Sequence, residues 1–154
     1  MKDIDTLLKE VKRVHFIGIG GSGMCPLAEI LHSWGYELSG SDNSESDTLD
    51  RIRKLGIPVT MGQRAENIKG AEMIVYTAAL LKDNPELVAA KASGIPTFER
   101  SKLFGAISRM YKNCIGICGT HGKTTTTSMT TQIMITAKLD PSAVIGGKLP
   151  MMGS

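Results

Sequence analysis

"RVHFIGIGGSG", residues 13–23, is the stretch on which the fold turns. Its first half is rich in β-branched and aromatic residues and, with Lys12, reads as the first β-strand of the chain, "KRVHFIGIG". Its second half places glycines at 18, 20 and 23, the G-x-G-x-x-G pattern. The next residues, "MCPLAEILHSWG", carry apolar side chains at helical spacing and stop at Gly35. Strand, glycine turn and helix in that order open a nucleotide-binding βαβ unit. Gly18 and Gly20 allow a tight turn and close backbone approach to a diphosphate, and Gly23 lets the helix pack on the sheet. The helix start offers free N–H groups and the positive end of its dipole to phosphate. Asp42 ends the following strand, "YELSGSD", where a carboxylate can accept hydrogen bonds from a ribose or a base. The bland alternative is a structural turn beside an exposed aspartate. The flanking strand and helix favour a nucleotide or nucleotide-sugar, without saying which.

Outward from that unit the alternation continues. "DTLDRIRKLG" reads as a helix, "IPVTM" and "AEMIVYTAA" as strands, and "NPELVAAKASG" as a helix capped by Asn84 with Pro85 at its first position. "IPTF" is a fifth strand and "SKLFGAISRMYK" a closing helix. The set amounts to a Rossmann-like, doubly wound α/β domain with a parallel sheet, complete by about Lys112. A second start follows: "NCIGICGT" reads as a buried strand, "KTTTTSMTTQIMITAKLD" as a helix and "PSAVIGG" as one more strand. A boundary between Arg109 and Cys114 divides the chain into domains at 1–111 and 112–154.

Where the strand of this second start meets its helix lies "GTHGKTTTT", residues 119–127, with the Gly-Lys-Thr core of a P-loop. Lys123 there offers a point charge to the outer phosphates, Thr124 a hydroxyl to Mg²⁺, and the loop N–H groups a cradle. The general G-x-x-x-x-G-K spacing is broken, because Ile117 stands at the first glycine position. An ordinary kinase or GTPase is thereby disfavoured. The alternative is a polar helix start with a solvated lysine, and His121 taken alone is a loop residue before it is a general base.

Bulk properties narrow the class. Charged residues are 21% of the chain, the net charge is +3, and the basic residues are scattered, so nucleic acid is not the expected partner. The N-terminus "MKDIDTLLKEVKR" lacks a signal-peptide core, and no apolar run reaches membrane-spanning length. The three cysteines, Cys25, Cys114 and Cys118, read as small reduced residues in apolar settings, which fits a cytoplasmic protein. Cys114 and Cys118 lack the further ligands of a metal site and are expected to be buried on a strand.

Taken together, "HFIGIGGSGM", "SGSD", "AENIKGAEMIVYTAA", "VIGGKLP" and the shortened phosphate loop make nearly the whole chain resemble the Mur ligases of bacterial peptidoglycan synthesis. The nearest branch is the one that joins L-alanine to UDP-N-acetylmuramate. The compact loop that breaks the general P-loop rule is that family's own pattern. The resemblance implies an N-terminal domain for the UDP moiety, a central ATP-binding domain and a C-terminal amino-acid domain. It implies UDP-N-acetylmuramate, L-alanine and ATP as substrates, with Mg²⁺ as cofactor. It implies that ATP phosphorylates a carboxylate and that the amine then displaces phosphate from the acyl phosphate. Carried onto this sequence, Gly18, Gly20, Gly21, Ser22, Gly23 and Met24 would face the UDP diphosphate. Asp42 would lie near the uridine, with Thr77 and Ala78 lining the same mouth. Gly119, Thr120, His121, Gly122, Lys123, Thr124 and Thr125 would wrap the ATP phosphates, with Lys123 catalytic and Thr124 on the metal.

The same resemblance makes the chain the first portion of such an enzyme, ending at the incomplete start of the P-loop ATPase domain. It is then expected to bind the UDP-sugar, to be inactive alone, and to leave apolar surface from "CIGIC" and "MTTQIMI" uncovered and open to self-association. Three alternatives stand beside it. One is the family branch that recycles murein tripeptide onto the same sugar. Another is a nicotinamide-dependent oxidoreductase resting on Gly18, Gly20, Gly23 and Asp42. The third is a stand-alone UDP-sugar-binding module.

Overall fold

The computed structural model describes residues 3–145, which fall into two compact units, Met1–Tyr111 and Lys112–Ser154. The first unit opens with a short helix the sequence did not announce, α1 (Ile4–Leu8), whose Asp3 cap accepts from the N–H groups of Asp5 and Thr6. Strand β1 (Arg13–Ile17) and helix α2 (Cys25–Ser33) follow, then β2 (Glu37–Asp42), α3 (Asp47–Lys54) and β3 (Val59–Met61). A 3₁₀ turn (Ala65–Ile68), also not foreseen, leads into β4 (Met73–Tyr76), α4 (Pro85–Ala92), β5 (Thr97–Glu99) and α5 (Arg100–Met110). Asn84 caps α4 as expected, its Oδ1 accepting from Glu86 and Leu87 N–H at 3.1 Å each.

The five strands form one wholly parallel sheet in the order β3-β2-β1-β4-β5. The chain runs outward from β1 to β3, then returns to the other side of β1 for β4. Right-handed crossovers on the two sides put α2 and α3 on one face and α4 on the other. Side chains alternate along β1, so His15 and Ile17 point to the α4 face. Ile17 packs there with Ile68, Ile74, Leu87 and Ala90. Val14 and Phe16, equally buried, point the opposite way. Because every strand runs the same way, the turns after β1, β2, β3, β4 and β5 share one rim of the sheet. The exposed helix-to-strand turns at Gly35, Gly56 and Gly94 share the opposite rim with the turn at Gly70 that leads into β4.

The second unit has a single regular element among the described residues, α6 (Lys123–Thr136). The strand expected over 113–120 is not formed, and Cys114 and Cys118 are exposed rather than buried. A strand needs a neighbouring backbone to satisfy its N–H and C=O groups, and the described residues of this unit supply no second strand. Pro141–Ile145 are likewise outside any strand, and the rest of "PSAVIGG" lies outside the described residues. Ile115, Met129 and Ile133 are exposed, in keeping with the apolar surface expected from these segments.

Candidate functional site

The loop between β1 and α2 lies at the point where strand order reverses, between β1 and β4 at their carboxyl ends, the position where open parallel sheets bind ligands. Gly18 makes the turn possible. Its φ is +82°, and a Cβ there would sit 2.9 Å from Thr77 Cγ2 at the end of β4. Thr77 is thereby part of the wall, its N–H donating to Ile17 O at 3.4 Å, while Ala78 next to it is exposed.

Most backbone donors of the loop are committed to the end of β2 or to the loop itself. Gly18 and Ile19 N–H donate to Ser41 O, Gly21 N–H to Gly18 O, and Met24 and Cys25 N–H to Gly21 O. Gly20 N–H donates to Asp42 Oδ2 at 2.9 Å. Among the described residues, the N–H groups of Ser22 and Gly23 donate to nothing, and Ser22 is exposed. Two neighbouring free donors at the start of α2, beside a hydroxyl, form an anion-binding arrangement.

Two residues expected at this mouth also have structural tasks. Met24 is 1% exposed, so its side chain packs into the core beneath the loop. Asp42 spends its carboxylate on backbone: Oδ2 on Gly20, and Oδ1 on Asn43 and Ser44 N–H at 2.8 and 3.1 Å. It locks the glycine loop to the end of β2 and keeps only the remaining lone pair of Oδ2 for a ligand. The Thr48 hydroxyl reinforces the same lock by donating to Gly20 O.

The role read for Gly23 also changes. A Cβ at Gly23 would meet the Arg100 guanidinium, with Nη1 at 2.8 Å and Cζ at 3.0 Å, rather than the sheet. Arg100 opens α5 at the carboxyl end of β5, on the same rim as the loop. No motif marks it; the only signal was a basic residue directly after a parallel strand.

Deeper on the same sheet lies a polar cluster that the sequence did not reveal. His15 and Glu86 are 2% and 0% exposed, with Nε2 and Oε1 2.6 Å apart. Ser39 Oγ sits 2.8 Å from His15 Nδ1, and the Ser41 hydroxyl and Asn67 amide donate to Glu86 Oε2 at 2.7 and 3.2 Å. Both oxygens of the carboxyl group have partners, as buried polar atoms require. Above it, the Gln63 Oε1 accepts from Asn84 and Asn43 side-chain amides, tying β2, β3 and α4 together at the rim.

In the second unit, Gly122 precedes α6 with φ +77° and Gly119 has φ +155°. Lys123 curls back over this turn: its Nζ donates to Gly119 O at 2.7 Å and Thr120 O at 3.4 Å. Thr127, Thr131 and Thr136 donate their hydroxyls to the carbonyl four residues earlier. Among the described residues, the Thr124 and Thr125 hydroxyls make no hydrogen bond, so they are available to a ligand at the helix start. Thr120, His121 and Gly122 are exposed around them.

Residues 13–112 match the family described as "Mur ligase family, catalytic domain". The chain is 49% identical over 144 residues to the UDP-N-acetylmuramate–L-alanine ligase of Legionella pneumophila, covering 94% of this chain and 30% of that protein. It is 51% identical over 142 residues to the enzyme of the same name from Acetivibrio thermocellus, covering 92% of this chain and 30% of the relative. The chain thus spans about a third of the length of these curated relatives. The crystal structure of UDP-N-acetylmuramate–alanine ligase from Thermotoga maritima superposes with a TM-score of 0.82 at 34% identity, over 88% of this chain and 32% of that one. A ligase from Neisseria, named for UDP-N-acetylmuramate and L-alanyl-γ-D-glutamyl-meso-diaminopimelate, superposes at 0.83 and 31% identity, over 90% of this chain and 44% of that one. With the family matched over most of its length and both glycine loops in place, the chain belongs to the Mur ligase family.

Proposed function

We propose that residues 1–111 form the UDP-sugar-binding domain, and residues 112–154 the start of the ATP-binding domain, of an ATP-dependent ligase that joins L-alanine to UDP-N-acetylmuramate. The observation that carries this reading is the pairing of two phosphate-type loops of different design in one chain, within a sequence about half identical to ligases of that name. A nicotinamide oxidoreductase would use the first loop and leave Gly119–Thr125 without a task.

In the first unit, Ser22 and Gly23 N–H and the Ser22 hydroxyl receive the diphosphate, while Gly18, Gly20 and Gly21 keep the backbone low enough for it to approach. Thr77 and Ala78 line the mouth, and Asp42 fixes the loop from behind. In the second unit, Lys123 exchanges its bonds to Gly119 and Thr120 carbonyls for the outer phosphates of ATP, holding negative charge where it develops. The Thr124 hydroxyl, exposed at the start of α6, would be the group in this chain that holds Mg²⁺. When bound, the ion neutralises charge on the phosphoryl oxygens.

Titration calorimetry of the 154-residue chain with UDP-N-acetylmuramate, and with NADH as control, tests the first-loop reading. Saturable binding of the UDP-sugar alone is expected. Binding of NADH and not of the UDP-sugar would overturn it. The same chain incubated with UDP-N-acetylmuramate, L-alanine and ATP is expected to release no phosphate, because it spans about 30% of its relatives.

A further inference from the structure

Glu86 lies in the first turn of α4 and is fully buried, yet among the described residues its only ion-pair partner is His15. Replacing such a pair by apolar side chains of similar size is often neutral or stabilising, so stability alone does not account for it. The second carboxylate oxygen shows what else Glu86 holds. Its Oε2 accepts from the Ser41 hydroxyl at 2.7 Å and from the Asn67 amide at 3.2 Å. Both donors belong to segments that shape the ligand rim. The Ser41 carbonyl accepts from Gly18 and Ile19 N–H at 2.8 and 3.0 Å, which sets the entry to the glycine loop. The Asn67 amide also donates to Gly62 O at 2.9 Å, in the turn after β3, and Gly62 N–H donates to Asp42 O. One buried carboxylate therefore stands beneath the turns that follow β1, β2 and β3, on a helix the chain reaches only after β4.

We propose that Glu86 is a positioning residue for the UDP-sugar site, holding the turns after β1, β2 and β3 in the relative arrangement the ligand needs. The inference rests on the reading of this rim as the UDP-sugar site, and Glu86 acts on it only through Ser41 and Asn67. A carboxylate suits the task because one oxygen can accept from two donors on separate segments, whereas an apolar side chain can hold neither. His15 completes the arrangement from β1. Its Nε2 lies 2.6 Å from Oε1 and its Nδ1 2.8 Å from Ser39 Oγ, so Oε2 is left to the rim. Asn84 adds a second tie from α4, its Oδ1 capping the helix and its amide donating to Gln63 Oε1. Loop donors displaced by about 1 Å no longer meet the ligand's oxygens well. Losing this support should therefore weaken binding even where the core stays packed.

The test is calorimetry with UDP, alongside thermal unfolding, on the 154-residue chain as it stands and as E86L, H15L/E86L, E86Q and S41A. H15L/E86L fills the space of the pair with apolar atoms and is expected to regain thermal stability lost in E86L. It leaves Ser41 and Asn67 without their acceptor, so UDP should still bind about ten-fold more weakly, the effect of losing a hydrogen bond to a charged group. Glutamine keeps an oxygen for Ser41 and Asn67 and offers its amide to His15 Nε2, so E86Q should recover most of the binding. S41A removes the hydroxyl, keeps the carbonyl, and should weaken UDP by a similar factor; it decides alone if the leucine variants do not fold. UDP held by H15L/E86L or S41A as tightly as by the unaltered chain would overturn the proposal and leave the site reading standing. So would E86Q as weak as E86L, or binding that simply follows the thermal midpoint across the set. If the unaltered chain fails to bind UDP, the site reading falls, and amide hydrogen exchange decides Glu86 by itself. Faster exchange at Gly18 and Ile19 in S41A, with Ile74 N–H still protected by Pro96 O, upholds the positioning role. Exchange unchanged at Gly18 and Ile19, or raised at Ile74 as well, ends it.

Discussion

Cys25 begins α2 directly under the glycine loop, and its thiol donates toward Thr48 O at 3.8 Å. A helix start lowers a thiol's pKa when it is open to water. Here burial wins and, with the nearby Glu29 carboxylate, pushes Cys25 up to about 12. Cys114 and Cys118 are exposed. A disulfide-exchange reagent at about pH 8 should therefore consume two thiols quickly in the native chain and the third only after unfolding. Three fast thiols would mean that the start of α2 opens in solution. At this scale the sequence exposed the glycines, Lys123 and Thr124, because their spacing is set by the backbone path around a phosphate. It could not give the direction of side chains that depends on tertiary packing. Met24 turns inward, Asp42 turns back onto Gly20, and Arg100 arrives from a distant segment that no local pattern connects to Gly23.

Among elements, β1 and α4 are joined by the buried pair of His15 and Glu86. Removing one member leaves the other without its partner in a dry interior, a loss of about 3–5 kcal/mol. Urea unfolding of Glu86→Ala should show a fall of that size, and Glu86→Ala combined with His15→Leu should recover part of it. A fall below about 1 kcal/mol, the ordinary worth of an exposed pair, would show that water reaches the site. Periodicity predicted every strand of the sheet, since burial on both faces writes dense apolar runs into β1 and β4. It could not see this polar cluster, because a histidine at one strand position and a glutamate in a helix first turn each have a commoner explanation. The strand expected at 113–120 shows the converse failure. An apolar run states a preference for burial, and a strand forms only where a neighbouring strand is present to pair with it.

For the whole molecule, all five strands, their core and the first glycine loop lie within Met1–Tyr111. A chain shortened to residues 1–111 should accordingly unfold in one cooperative transition and bind UDP-N-acetylmuramate as the 154-residue chain does. Loss of either property would show that residues 112–154 contribute to the first unit's stability or site. The division was legible in the sequence as a second beginning, strand-like run, glycine turn and helix, after a sheet already complete. The parallel sheet has one more consequence, for anyone who wants to watch this protein work. Its two rims are chemically unlike: one carries the loops with ligand donors, the other the exposed turns at Gly35, Gly56, Gly70 and Gly94. A fluorophore, an epitope or an inserted reporter domain placed at those four turns would sit a full strand length from the loops. The chain carries, in its strand direction alone, a handle on one side and an instrument on the other.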